Sequence, residues 1–255
     1  MAGLTLTECV YPSGLRMPRH SHELAYLSLV LRGSYTETIG HKELLGKPSA
    51  LVAHPPAQAH AVDFHASDVR IFRTEIRPRW LERLRDWPAV FEGPACFDAH
   101  ATTYLALRLY KEFRAPDQFS TLAVEGILLE LLAEISRHRK RRFSSKRVPR
   151  WLERAREMLH EQTSNSPSLA ELASEAGVHP VHLAREFRKF YHASVGEYVR
   201  RLRVESACRE MAATDLPLSQ IAANAGFYDQ SHFSRAFKQQ TGLTPAAYRS
   251  LVRVR

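Results

Sequence analysis

The spacing of apolar residues changes once along the chain, near residue 98. Before residue 80, short runs rich in β-branched and aromatic residues are separated by Gly, Pro and other turn residues, which is typical of antiparallel strands. These runs cover residues 25–31, 35–39, 49–53 and 68–76 and the surroundings of Val62 and Phe64. Short strands at this close spacing predict a small antiparallel barrel.

From about residue 98 the apolar positions recur with the period of a helix. One predicted helix contains Leu105, Leu109 and Phe113, and Pro116 ends it. Ser120 is a candidate cap for a second helix, whose broad apolar face includes residues from Leu122 to Ile135. Such a face packs within its own domain by default, and a second subunit is the alternative partner. The helices near 98–138 are therefore the candidate homodimer interface.

Residues 137–149 form a basic run without an apolar period, and helical periodicity resumes after it. We interpret this run as an interdomain linker that is also able to contact phosphate. The predicted organisation is a sensing and dimerisation domain over 1–136, the linker over 137–149, and an all-helical domain over 150–255.

Two stretches of the helical region repeat each other. Residues 169–177 and 218–226 are each a short apolar-periodic helix that ends in Gly, and each is followed by a turn and a second helix. The second helices carry Arg-x-Phe and a basic residue at 185–188 and 235–238, so the offset between the copies grows from 49 to 50. This pattern predicts two helix-turn-helix units.

Each second helix has an apolar and a polar side. Phe187, Phe233, Phe237 and Tyr248 are predicted to be core residues rather than stacking platforms. The candidate DNA contacts on the outward sides are Val181, His182, Ala184, Arg185, Arg188, Gln230, Ser231, Ser234, Arg235 and Lys238. Arg side chains suit guanine and Gln suits adenine in the major groove, while further cations hold phosphates. The alternative is that Arg185 pairs with Glu186 and Arg235 with Asp229.

The charge distribution supports a polyanionic partner. The formal net charge is +9, and all of this excess lies in residues 140–255, which hold 20 Lys and Arg against 11 Asp and Glu. One-sided basic charge is typical of proteins that bind double-stranded DNA. The alternative is that the positive charge has no binding role and only improves solubility.

The composition indicates a globular cytoplasmic protein with no membrane partner. Hydrophobic residues make up 44% of the chain, no run of 18 apolar residues occurs, and the N-terminus lacks the pattern of a signal peptide. Cys9, Cys96 and Cys208 are far apart and odd in number, which fits a reducing compartment and neither a disulfide framework nor a zinc knuckle.

Residues 150–252 resemble the DNA-binding domain of AraC/XylS-family transcription regulators, most specifically at 221–227, 231–238 and 242–249. The resemblance implies a sequence-specific regulator of the bacterial type that contacts RNA polymerase. It also implies base-facing positions, which here are Val181, Ala184, Arg185, Gln230, Ser231, Ser234 and Arg235. Since Val181 and Ala184 offer only apolar contact, we expect weaker discrimination by the first unit.

The N-terminal half resembles cupins. Residues 14–22 match the opening of the first cupin motif, and residues 55–60 resemble the second. By the same alignment Tyr26 replaces the metal-binding Glu, so the resemblance implies an effector pocket at His20, His22, Tyr26 and His60. These three His are a candidate open metal site, but we favour a metal-free pocket without a cofactor, because the carboxylate ligand is replaced.

Together these observations predict an α+β protein of two domains: an N-terminal cupin-like antiparallel β-barrel with helices, and a C-terminal all-α domain with two helix-turn-helix units. The predicted function is that of an effector-responsive transcription activator that is not an enzyme and binds a small molecule. One rival is a metal-dependent cupin enzyme fused to a DNA-binding domain. A DNA-repair protein with a reactive Cys is another, and the isolated cysteines argue against it.

Overall fold

All described strands precede residue 98 in the computed structural model, which describes residues 3–82, 91–97, 100–143, 148–191 and 193–253. The strands are β1 (Leu4–Tyr11), β2 (Arg16–His20), β3 (Ala25–Arg32), β4 (Tyr35–Ile39), β5 (Lys42–Gly46), β6 (Leu51–His54), β7 (His60–Phe64), β8 (Val69–Ile76) and β9 (Ala95–Phe97). The strands predicted over 25–31, 35–39 and 68–76 are confirmed. Strand β5 was not predicted. Most of its side chains are exposed, so its sequence lacks the alternation of apolar and polar residues that indicates a strand.

The strands form two antiparallel sheets that pack face to face. One sheet has the order β1-β8-β3-β6-β9 and the other the order β2-β7-β4-β5. Val30 and Ile71 of the first sheet share a buried cluster with Tyr35 and Phe64 of the second. The antiparallel architecture predicted for this half is thereby confirmed.

Two helices cover the outer face of the larger sheet. They are α2 (His100–Arg114) and α3 (Ser120–Phe143), and a short helix, α1 (Pro78–Leu81), precedes them. Leu27 and Phe72 of the sheet line one small gap together with Leu109 of α2 and Leu131 of α3. Strand β3 is therefore covered on both faces, which explains why all but its last residue are buried.

Three expectations about α3 are corrected. Ser120 does not cap the helix, since its hydroxyl donates to Glu112 Oε1 at 2.6 Å and so fastens α3 to α2. Leu122 does not belong to the buried face, because it is 76% exposed. The helix continues to Phe143, so the first part of the predicted linker 137–149 is helical, while residues 144–147 lie outside the described residues.

The remaining helices are α4 (Arg150–Glu161), α5 (Leu169–Glu175), α6 (Pro180–Tyr191), α7 (Val195–Ala213), α8 (Leu218–Asn224), α9 (Gln230–Thr241) and α10 (Pro245–Arg253). The pairs α5–α6 and α8–α9 are the two helix-turn-helix units. Gly177 and Gly226 occupy their turns with φ values of 66° and 83°, a conformation that favours glycine. Ser168 caps α5 in the predicted capping box with Glu171. No described helix is long and apolar enough to cross a membrane.

The two units are held differently. The first unit has a core of its own, formed by α4, α5, α6 and the beginning of α7. The core of the second unit is continuous with that of the N-terminal half. Polar contacts reinforce this docking, since Lys47 Nζ lies 2.9 Å from Glu205 Oε2 and the hydroxyls of Ser49 and Tyr248 are 3.1 Å apart.

Candidate nucleic-acid interface and sensor pocket

The outer face of α6 carries the candidate DNA contacts of the first unit. Leu183 and Phe187 are fully buried on the opposite face and thereby fix the orientation of the helix. Val181 is 69% exposed, and Arg188 is also exposed. Ala184 and His182 are half-buried, and the His182 ring lies 5.3 Å from that of Trp151.

Arg185 has partners within its own helix. Its Nε lies 3.4 Å from Glu186 Oε1, and a terminal nitrogen lies 3.1 Å from His182 Nδ1. The alternative pairing considered from the sequence is therefore present. The Arg185 side chain is nevertheless 71% exposed, and exposed ion pairs contribute only about 0–1 kcal/mol. A guanine or a phosphate can replace Glu186 at little cost.

Helix α9 presents a richer polar face. Gln230, Ser231, Arg235 and Lys238 are exposed, and Ser234 is half-buried beside them. Asp229 serves as the N-cap, accepting a hydrogen bond from His232 N at 2.6 Å. Among the described residues no ion pair involves Arg235, so the predicted alternative with Asp229 is not formed.

The aromatic residues of the two units are structural. Phe187, Phe233 and Phe237 are completely buried, and Tyr248 is 1% exposed. This confirms their interpretation as core residues. Their burial fixes the orientation of α6 and α9, so that the polar side of each helix faces outward.

Residues of both units line one groove of about 500 Å³. They include Ala184 of α6, His232 of α9 and the beginning of α7. Arg203, which also lines the groove, donates to the carbonyl oxygens of Thr163 and Ser164, both at 3.2 Å. Arg200 is exposed at the groove. Its charge is therefore available to a DNA phosphate that lies between the two units.

The predicted pocket residues of the N-terminal half do come together. The ring centroids of His20 and His60 are 4.4 Å apart, those of His22 and His60 5.4 Å, and those of His22 and Tyr26 5.0 Å. His20 ends β2, His60 begins β7 and Tyr26 lies on β3, so three strands position the group.

Two buried residues of this pocket were not predicted. Glu37 on β4 is 1% exposed, and its Oε2 lies 2.8 Å from Nε2 of His54, which ends β6. The His54 ring stacks on Tyr26 at 4.2 Å. The alternation of residues 35–39 is a sequence signal that puts Glu37 on the inner face with Tyr35 and Ile39. No such signal identifies His54 as its partner, because His54 lies outside both cupin-like motifs.

Burial lowers the pKa values of two pocket histidines, His22 and His60. Desolvation, with Arg73 as the next cause, lowers the pKa of His22 to about 4. Desolvation also lowers the pKa of His60, although a hydrogen bond to Gln58 opposes this change. Burial raises the pKa of Tyr26 above its usual range. Near pH 7, His22 and His60 therefore offer neutral ring nitrogens and Tyr26 a neutral hydroxyl.

Cys9, Cys96 and Cys208, all in the described part of the chain, form no disulfide bond with one another. Cys208 is buried, and desolvation raises the pKa of its thiol to about 12. A thiol with a raised pKa is a poor nucleophile, because the thiolate is the reactive form. Cys208 therefore does not support the repair hypothesis.

Comparisons with known proteins agree with this geometry. A family described as a helix-turn-helix domain matches residues 172–250. The arabinose operon regulatory protein of Escherichia coli K12 is 26% identical over 238 residues, which are 88% of this chain and 80% of that protein. The regulatory protein SoxS of Salmonella typhimurium LT2 is 32% identical over 93 residues, which are 36% of this chain and 87% of SoxS.

Among solved structures, ToxT from Vibrio cholerae is similar over 99% of this chain and 100% of its own, with 11% identity and a TM-score of 0.43. At that score the likeness carries no weight beside the sequence matches.

Proposed function

Because the chain belongs to the AraC family of transcription regulators, we propose that it is an effector-responsive activator whose two helix-turn-helix units enter adjacent segments of the major groove. The observation that carries the proposal is the pair of outward polar faces on α6 and α9, which flank one connecting helix. That helix, α7, has 19 residues and is about 28 Å long at 1.5 Å per residue. Major-groove segments on one side of B-DNA repeat every ~34 Å, a comparable distance.

The outward faces of α6 and α9 contribute unequally to base recognition. Arg235 and Arg185 donate to guanine and Gln230 pairs with adenine, while Ser231 and Ser234 contact neighbouring base edges. Val181 and Ala184 contact thymine methyl groups, with His182 beside them. Arg188 and Lys238 hold phosphates and set the register. The second unit therefore supplies most of the base specificity, and we place the RNA polymerase contact on its side.

The N-terminal barrel senses a small molecule in the pocket of His20, His22, Tyr26 and His60. In this scheme residues 1–136 sense and dimerise, residues 150–255 read DNA, and the segment 137–149 joins them. The effector shifts the population of the DNA-competent arrangement, which requires that it bind the two arrangements with different affinity.

Helix α3 supplies the surface for a homodimer. Phe119, Leu122 and Leu129 are 65%, 76% and 37% exposed. With Gly126 and Ala133, which are also exposed, they repeat at spacings of three and four residues. This is the pattern of a coiled-coil seam. A second copy of the same helix is the occupant we propose, since two helices with such a seam can bury it against each other.

Selection of bound sequences from a random DNA library, with the full chain, tests the proposed reading of DNA. We expect an enriched site in which two specified segments are about one helical turn apart, with the stronger base preferences in one segment. Enrichment of a single segment would contradict simultaneous binding by both units.

Sedimentation equilibrium tests the homodimer. We expect Leu122→Glu to convert the protein to a monomer, because a charge in the seam is not compatible with an apolar interface. Val10→Glu is the matched control, since Val10 is also an exposed apolar residue, at 64%, but belongs to β1. Equal behaviour of the two variants would contradict this interface.

A further inference from the structure

The turns of the two helix-turn-helix units differ in length by one residue. Val178 in the first turn and Phe227 in the second occupy equivalent positions 49 residues apart, since the backbone amide of each donates at 2.9 Å to the preceding helix. His179 and Asp229 are also equivalent but lie 50 residues apart, because each side chain accepts a hydrogen bond from a backbone amide of the following helix. Tyr228 is therefore an extra residue that has no counterpart in the first unit.

The backbone around Tyr228 is anchored on both sides, whereas its side chain is in solvent. Phe227 before it is buried, with its ring 5.2 Å from that of Phe233, and Asp229 after it is the N-cap of α9. Tyr228 itself is 94% exposed, and no hydrogen bond engages its hydroxyl within the described part of the chain. The ring thus contributes almost nothing to the packing of the protein, and a substitution there should leave the fold intact.

Tyr228 lies next to the end of α9 that is proposed to enter the major groove. Gln230 is the first residue of this helix and is exposed. Residues at the N-terminal end of a recognition helix contact base edges. Two residues of chain span at most about 7 Å, whereas the major groove is about 12 Å wide. The phosphates at the edge of the groove are therefore within reach of Tyr228, and a phenol hydroxyl is one of the groups that donate to DNA phosphates.

The acidic cap of α9 changes what this helix end offers to DNA. The N-terminus of a recognition helix often donates backbone amides to a phosphate. In α9 the Asp229 carboxylate takes that place, since it accepts from the backbone amide of His232 at 2.6 Å. Its negative charge offsets the positive end of the helix dipole and repels a phosphate. In the first unit the cap is an imidazole, because His179 Nδ1 accepts from the amide of Val181 at 3.3 Å. The second unit therefore needs a different donor at the groove edge, and Tyr228 is the adjacent one.

We propose that Tyr228 is a positioning residue of the second unit, whose hydroxyl donates a hydrogen bond to a DNA phosphate at the edge of the groove segment that α9 reads. The inference rests on the proposed reading of DNA by α9. The contact fixes the register of the helix without reading a base, because phosphate contacts carry no direct sequence information. The first unit has no residue at the equivalent position, so α6 lacks this contact.

The variant Tyr228→Phe in the full chain tests the contact, because it loses the hydroxyl and keeps the ring. We expect it to bind the selected DNA site about tenfold more weakly, since hydrogen bonds to charged groups are among the stronger ones. The loss should be equal for all single-base variants of the site. The dependence of affinity on salt should not change, because a neutral hydroxyl releases no counterion. The control is Leu216→Ala, since Leu216 is also an exposed apolar residue of this region but precedes α8.

Neutral phosphate analogues locate the contact on the DNA. Each phosphate of the selected site is replaced in turn by a methylphosphonate, and affinity is measured for the wild-type protein and for Tyr228→Phe. At one position the two changes should be less than additive, because they weaken the same hydrogen bond. Additive losses at every position would overturn the proposal.

Unchanged affinity of Tyr228→Phe for the selected site would also overturn it. A loss of transcription activation without a loss of DNA affinity would then assign Tyr228 to a contact with a protein partner. Urea denaturation shows whether each variant keeps the wild-type stability. If the wild-type protein selects no DNA, the proposed reading of DNA fails; if it selects a site that Tyr228→Phe binds equally well, only this inference fails.

Discussion

Arg235 is the residue that we expect to contribute most to base recognition, because it is exposed on α9 and no ion pair engages it within the described part of the chain. Arg235→Ala should weaken binding to the selected site by about 1–3 kcal/mol and relax the preference at one base position. Binding assays on a panel of single-base variants of the site would measure both effects.

The matched control for Arg235 is Arg209→Ala, which removes the same charge from an exposed position of α7 outside the reading faces. It should leave the base preferences intact. If Arg235→Ala weakened all sites equally, Arg235 would be a phosphate contact instead.

Glu8 connects several elements and should make the protein sensitive to acid. Burial opposes ionisation of Glu8, but hydrogen bonds from Arg70 and Tyr110 outweigh it and lower the carboxyl pKa. The Tyr110 hydroxyl donates at 2.9 Å, and Arg70 also donates to the carbonyl of Val252 at 3.0 Å. A lowered folded-state pKa stabilises the fold above the unfolded value of about 4.3, and this contribution is lost as the pH falls through the folded-state value.

The wild-type free energy of unfolding should therefore fall more steeply than that of Glu8→Gln below about pH 4.3. Urea denaturation between pH 6 and pH 3 measures the difference, which should shrink toward the acid end. Parallel curves for the two proteins would show that Glu8 is not paired in solution.

At the scale of elements, the turns of the two helix-turn-helix units look equivalent in the sequence but differ in their surroundings. Gly177 and Gly226 both have positive φ. A Cβ on Gly226 would lie 2.2 Å from the carbonyl oxygen of Ser164, whereas one on Gly177 would meet nothing within 4 Å. The second turn is therefore packed against the loop between α4 and α5, and the first is open.

Gly177→Ala should cost only the backbone strain of about 1–2 kcal/mol, while Gly226→Ala should cost more because the Ser164 backbone must move. Thermal or urea denaturation compares them, and each variant serves as the control for the other. Equal destabilisation would mean that the contact with Ser164 is not formed.

At the scale of the whole molecule, the two helix-turn-helix units are not attached equally to the N-terminal half. The second unit shares a core with the barrel and α2–α3, whereas the first has only its own small core. Local opening requires less free energy where fewer buried contacts are broken.

We therefore expect backbone amides of α5 and α6 to exchange with solvent faster than those of α8 and α9. Hydrogen exchange read by mass spectrometry tests this, and selected DNA should slow exchange in both units if both bind. Equal protection of the two units in the free protein would indicate a single cooperative body.

Local sequence patterns were sufficient to predict the helix-turn-helix units and most inner strands. Helix and strand periods are encoded within a few neighbouring residues, and Leu183 and Phe187 are buried by partners of their own unit. The grouping of His20, His22, Tyr26 and His60 was implied by the resemblance to the cupin motifs, and the strands of the N-terminal half do bring those positions together. Their roles in binding remain predictions.

The tertiary structure alone decided what depends on residues far apart in the chain. It placed Glu37 and His54 behind the histidines, left Leu122 exposed, and joined Ser49 of the barrel to Tyr248 of α10. No local pattern encodes these contacts, because each depends on how two separately formed elements pack. The amino-acid sequence by itself thus determined which elements form and which faces are polar, and packing decided which of those faces meet.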